Sequence, residues 1–158
     1  MRIELTGSVP KDFGLTKREA AAAASFFAAR ACARAGGAWH EVVVHLVRDA
    51  ASDGLHRAIM GRAGATDVIT QAYDAIPPEP PGLSGELFVN VDQARRAAPR
   101  RPGWSAAKEL LLYIAHGMDH LSGADDRAPA GYAAMRRREL GWLRAHAGKK
   151  GKARCARR

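Results

Sequence analysis

Apolar and polar residues alternate through Met1–Thr6 (MRIELT), the two-residue period of a strand, and the pattern then changes. Thr16-Lys17-Arg18-Glu19 forms a capping box ahead of an alanine-rich run that stops at Gly36-Gly37, so a helix follows the strand. His40–Arg48 (HEVVVHLVR) is dense in β-branched residues, as a central strand requires, and precedes a helical segment from Ser52 to Met60 that Gly61 ends. Two short strands are expected at Asp67–Ala72 and Glu86–Asn90. The IPPEPPG run between them cannot donate ladder hydrogen bonds at its prolines, which predicts a stiff extended loop of the kind that often rims a site.

After a short helix at Gln93–Ala98, Ser105 is placed to cap a helix whose Leu110, Leu111, Ile114 and Ala115 form a strongly buried face. Gly123 is placed to end it. Pro129 is placed to start a last amphipathic helix through Tyr132, Met135, Leu140 and Leu143, expected to fray near Gly148. There is no internal repeat. The order of elements predicts an α+β fold with α/β-like character: a single domain in which a small mixed sheet of about four strands packs with about five helices, the helix after Ser105 being central. The domain is assigned to residues 1–148, and residues 149–158 (KKGKARCARR) to a basic disordered tail with nothing to bury.

The 158-residue length suits one domain, and MRIELTGSVPKDF lacks the basic and apolar regions of a signal peptide. The longest apolar stretch, Ala20–Ala29, is too short to span a bilayer, so a cytoplasmic protein with no membrane partner is expected. Two cysteines, Cys32 and Cys155, leave neither a disulfide framework nor a CxxC clip, so any metal must be held by His and carboxylates. Six positive charges of the formal +9 lie in residues 149–158, which leaves +3 for residues 1–148. Local basic runs remain at Arg95–Arg96, Arg100–Arg101 and Arg136–Arg138. Such an end attracts phosphate backbones through counterion release, and it equally suits a plain solubilising segment.

The chemistry concentrates in His116–Asp126, HGMDHLSGADD. His116 and His120 stand four apart, so on a helix their imidazoles share one face within reach of one divalent ion. A helix offers no third ligand on that face, and Gly123 gives the sharp exit by which Asp125 or Asp126 can fold back. Three protein ligands with one open position characterise catalytic rather than structural zinc. Asp119, just before His120, is expected to face solvent near the helix end, with roles in orienting a ligand or as a base as alternatives.

This run resembles the YbeY endoribonucleases of rRNA maturation, whose hallmark HGxLHLxGYDH supplies three histidines to zinc. His116, Gly117, His120, Leu121, Gly123 and Asp125 match it, while the third histidine falls on Asp126 and a leucine on Asp119. GATDVIT at Gly64–Thr70 is similar to the family's PTDVLSF segment, and GELFVN at Gly85–Asn90 to its GD-I/L-V-I strand. The resemblance implies one Zn2+ held by His116, His120 and Asp126, which would act in catalysis through the metal. A carboxylate in place of the third imidazole makes the site harder and admits other divalent ions. The family arginine of a Y-R-G-K stretch aligns with Met60, and Arg57 or Arg62 is the expected substitute at an RNA phosphate. Thr66 and Asp67 are further candidate RNA contacts, and Thr70-Gln71-Ala72 replaces the family's Ser-Phe-Pro.

The implied function is a metal-dependent, single-strand-specific endoribonuclease of rRNA maturation and ribosome quality control, with rRNA precursors and the small ribosomal subunit as partners. A ribosome-associated RNA-binding factor with a structural or vestigial metal is the alternative. A metzincin-like metalloprotease ranks below both, because Gly117 stands where that class carries its glutamate base.

Overall fold

The computed structural model describes residues 1–76, 78 and 80–155, with side chains up to residue 148. Four strands form one mixed sheet: β1 (Arg2–Thr6), β2 (Trp39–Val47), β3 (Val68–Asp74) and β4 (Leu83–Asn90). Their order is β1-β2-β4-β3, with β1, β2 and β4 parallel and β3 antiparallel to β4. Five α-helices accompany them among the described residues: α1 (Lys17–Ala35), α2 (Asp49–Met60), α3 (Val91–Ala97), α4 (Ala106–Leu121) and α5 (Pro129–Cys155). The α+β architecture with its single mixed sheet is the one the sequence predicts.

Local signals fix most boundaries. Thr16 accepts a hydrogen bond from the Glu19 amide while the Glu19 carboxylate accepts from the Thr16 amide, the reciprocal box that starts α1, and Gly36 in the left-handed region ends it. Ser105 caps α4 by accepting from the Lys108 amide. Asn90, fully buried, accepts from the amides of Asp92 and Gln93, so α3 begins earlier than its sequence pattern suggested. α5 continues as helical backbone past Gly148, where fraying was expected, to Cys155. Residues 156–158 of the expected basic tail lie outside the described residues.

One face of the sheet is covered. Val42, Val44 and Leu46 of β2 and Leu87 and Val89 of β4 pack beneath α1 and α4, where Ala20, Ala23, Ala24, Ala28 and Ala31 let α1 come close and Phe27 fills the space between. Leu110, Ile114, Ala115 and Met118 are buried along the same side of α4. The sheet's other face is polar and part-exposed, carrying a line of hydrogen bonds from Thr6 through His45 and Glu86 to Tyr73.

The proline-rich loop is pinned at its ends by the Ala75 amide donating to the Gly82 carbonyl and by His40 bonding the Pro80 carbonyl. Residues 77 and 79 lie outside the described residues. The described part of the loop sits beside His40 and lines no part of the groove at the His116–His120 pair, contrary to the expectation that it rims the site.

Candidate metal centre

The centre is built by the packing of α4 on β4. Gly117 lies directly over Leu87: a Cβ there would run into the Leu87 side chain and approach Val68 Cγ2 to 3.1 Å. A bare backbone at this position lets α4 lie low on the sheet, with the neighbouring His116 and His120 turned to the side. Any side chain at 117 would have to displace the Leu87 side chain, so crowding as well as residue type stands against the base that a metzincin needs here.

His116 Nε2 and His120 Nε2 are 3.2 Å apart, and Asp126 Oδ2 lies 3.5 Å from the first and 3.9 Å from the second. These three residues form a set whose ligand atoms all lie within 4.8 Å of one another. Helix α4 ends at Leu121, and Gly123, at φ 83°, turns the chain so that Asp126 comes back over the histidines. Asp125 takes the other direction and pairs with Arg127, Oδ2 to Nη2 at 2.5 Å, which holds its carboxyl down at about 2. The choice between the two aspartates that the sequence left open falls geometrically on Asp126.

The remaining nitrogen of each imidazole has an acceptor. His120 Nδ1 lies 3.0 Å from the Ala124 carbonyl, and His116 Nδ1 lies 2.7 Å from Glu139 Oε1 on α5. An Nδ1–H donated to these oxygens leaves the two Nε2 atoms facing each other and Asp126, an arrangement that a proton on one of them or a shared metal cation relieves. Burial pushes the His116 imidazole down, but the Glu139 hydrogen bond and the charges of Glu139, Asp67 and Asp126 outweigh it, and its pKa is raised. The pocket favours positive charge at this point. The donor set, one oxygen and two nitrogens with the second nitrogens satisfied, therefore fits a divalent metal.

A groove of about 620 Å3 opens beside the centre and is lined by His56, Met60, Arg62, Thr66, Val68, Thr70, His120, Asp126 and Arg127, among others. Arg62 and Thr66 thus share the groove with two members of the cluster. Arg57 is not among its walls; its guanidinium pairs with Asp53 one helical turn back, at 2.9 Å. Asp67 is absent from the walls too. Its Oδ1 accepts from Thr66 Oγ1 and the Val68 amide, and its carboxylate adds to the negative field at His116. His56 and Arg127 are groove residues that the sequence reading did not single out.

Asp119 is a correction. Rather than facing solvent, it is fully buried and receives three hydrogen bonds from Arg138 of α5, at 2.7–2.9 Å. α5 closes over this side of α4, and a carboxylate so covered persists only because a guanidinium is held against it. Glu139 was missed and Arg136 was read only as part of a basic run, because the motif shows only the residues local to α4; the one available signal was a glutamate amid the basic run of an otherwise amphipathic helix.

A family model described as Endoribonuclease YbeY matches residues 14–146. An Endoribonuclease YbeY of Rhodopirellula baltica is 39% identical over 101 residues, 63% of this chain and 50% of that protein. Another, of Anaeromyxobacter, is 33% identical over 148 residues, 92% of this chain and 72% of that protein. The match thus spans half the length of the first relative and nearly three quarters of the second. The solution structure of a Thermotoga maritima protein superposes with a TM-score of 0.55 over 97% of this chain and 93% of its own, at 18% identity, a likeness of fold.

Proposed function

The chain belongs to the Endoribonuclease YbeY family, and on that premise we propose that it is a metal-dependent endoribonuclease that cuts unpaired RNA, rRNA precursors above all, in rRNA maturation and ribosome quality control. The observation that carries this reading is the convergence of His116 Nε2, His120 Nε2 and Asp126 Oδ2 at the edge of an open groove. We take Zn2+ as the ion, with other divalent ions admitted by the carboxylate. When bound, such an ion supplies Lewis-acid charge at a scissile phosphate and lowers the pKa of water.

The chain's own residues supply the rest. Val68, Ala72 and Leu121 add apolar surface to the groove beside its polar groups. Arg62 stands on the wall with a guanidinium that forms no ion pair among the described residues, and is free to hold a phosphate in a two-pronged contact. Thr66 adds a hydroxyl beside it. Arg62 thereby supplies the cation that Met60, 56% exposed on the same wall, does not. The small ribosomal subunit as partner, and the cytoplasm as location, accompany this reading. No described helix is long and apolar enough to cross a membrane.

The test is cleavage of single-stranded and duplex RNA by the full chain, with and without a chelator. Chelator-sensitive cutting of unpaired RNA that disappears in His116→Ala is expected. Equal cleavage by His116→Ala and the unaltered protein would sink the reading; RNA binding without cleavage under every metal condition would favour the ribosome-associated binding factor instead.

A further inference from the structure

Glu139 is fully buried, as are Asp119 and, nearly so, Glu109. Burying a carboxylate costs several kcal/mol after relaxation, so each of the three needs a compensating partner. For Asp119 it is the three-contact guanidinium of Arg138, and for Glu109 it is Arg101, whose Nη1 donates at 3.0 Å. Glu139 is different. Its short hydrogen bond, 2.7 Å, goes to an imidazole, His116, while its other oxygen stands 3.3 Å from Arg136 Nη1 as an ion pair without hydrogen-bond geometry. The guanidinium therefore balances the charge, and the directional bond is spent on the histidine.

We propose that Glu139 is a positioning residue of the centre: it holds His116 in the Nδ1–H tautomer with the ring turned so that Nε2 faces His120 and Asp126, while Arg136 neutralises it from behind. This rests on the metal reading above. The geometry supports it from both sides. A carboxylate oxygen accepts and cannot donate, so at 2.7 Å a proton lies on Nδ1, and whenever the imidazole is neutral the lone pair is on Nε2. The two faces of the imidazole ring system are then fixed by elements from different parts of the chain, α5 behind and the turn after α4 in front, which leaves His116 no alternative rotation that keeps both contacts. His120 is held in the same tautomer by a backbone carbonyl, that of Ala124, which mutation cannot remove. Among the described residues Glu139 is thus the side chain outside the cluster that bonds one of its histidines, and it can be altered without touching a member of the cluster.

The experiment uses the full chain, Co2+ as a spectroscopic probe, and three variants: Glu139→Leu, Glu139→Gln and, as control, Glu109→Gln. Partners that orient metal-binding histidines typically account for about 10–100-fold in metal affinity. Glu139→Leu is expected to weaken Co2+ binding by that order. Glu139→Gln, which keeps an acceptor oxygen but not the charge, is expected to lose less. Glu109→Gln, a buried carboxylate held by Arg101 and bonded to neither histidine, should lower unfolding stability yet change Co2+ affinity much less than Glu139→Leu does.

Nitrogen-15 shifts of His116 in the metal-free protein, above its titration range, should report the Nδ1–H tautomer in the unaltered chain and in Glu139→Gln, and a mixture in Glu139→Leu. If Glu139→Leu does not fold, the Gln variant carries the affinity test by itself. Unchanged Co2+ affinity in a folded Glu139 variant, or a His116 tautomer indifferent to Glu139, overturns the proposal. Failure of the unaltered chain to take up Co2+ would sink the metal reading instead, and the tautomer measurement would then decide the role of Glu139 alone.

Discussion

Asp119, without exposed surface near the end of α4, is chelated by Arg138 of α5, whose Nε reaches both carboxylate oxygens at 2.9 Å and whose Nη2 adds a third contact at 2.7 Å. Arg34 of α1 stands 4.0 Å from the same carboxylate and donates to Ser122. Three helices thus meet at one buried charge, next to the turn that carries Asp126.

The two partners of this pair are unequal. Arg138 is 27% exposed and can turn to water when Asp119 is removed, whereas Asp119 stays buried when Arg138 is removed. Arg138→Met leaves the buried carboxylate with only Arg34, 4.0 Å away, and Ser122 Oγ, so it is expected to destabilise by up to about 3 kcal/mol, and Asp119→Ala by less. Urea unfolding of both variants and of the double variant measures this; a larger loss for Asp119→Ala would contradict it.

Gly117 and Leu87 impose a second constraint. Alanine is preferred over glycine inside a helix by about 1 kcal/mol, so Gly117→Ala would stabilise an isolated α4. Here its Cβ collides with a fully buried Leu87 side chain, and overpacking typically costs about 1–3 kcal/mol. The core term should win. A lowered melting temperature is expected, and in the double variant with Leu87→Ala, itself costly at a fully buried position, the combined loss should be less than the sum of the two single losses; strictly additive losses would show that the two do not touch.

The legible part of the fold was the part written locally. The Thr16 box, the Ser105 cap, the Gly36 stop and the Pro129 start each depend on residues within one turn of the boundary they set, and all lie where their signals placed them. The histidine pair was legible for the same reason, since four residues on a helix fix its geometry. What escaped depends on how helices cross. Glu139 is 23 positions from His116 and Arg34 is 88 from Ser122, and no spacing rule links them. Asp119 looked solvent-facing because only the placement of α5 buries it.

Asp126 and Asp125 are adjacent, yet one closes on the histidines and the other is held by Arg127. Asp126→Ala is expected to lower zinc content and affinity sharply, and Asp125→Ala to leave them within about twofold, since its loss removes no ligand. Metal analysis of both purified variants beside the unaltered chain decides it. Equal zinc in Asp126→Ala and the parent would remove Asp126 from the site.

Asp49 is held at a carboxyl pKa of about 2 by the hydrogen bonds of Arg96 and of Asn90, below its ordinary 3.8. A depressed folded value means that the stabilisation is present above the unfolded value and is lost as pH falls from about 4 to about 2. Both side chains are more than one third exposed, so solvent limits the effect to roughly 0.2–1 kcal/mol. The stability gap between the parent and Asp49→Asn should close across that interval in acid titrations, and a gap persisting at pH 2 would contradict the assignment.

Arg57 and Arg62 were equal candidates for the phosphate contact from sequence, and their surroundings now separate them. Arg57 is engaged with Asp53 through Nε at 3.1 Å and Nη2 at 2.9 Å, so using it on RNA requires breaking that pair first. Arg62 lines the groove beside His120 and Asp126 without such a partner among the described residues. Because a phosphate contact contributes binding without reading sequence, Arg62→Ala should weaken single-stranded RNA binding several-fold, to similar extents for different sequences, and reduce its salt dependence by about one unit of slope. Arg57→Ala should change neither by more than the loss of one distant charge. Binding isotherms at several salt concentrations with a catalytically silent His116→Ala background read this directly, and a larger defect for Arg57→Ala would move the phosphate site out of the groove and onto the exposed face of α2.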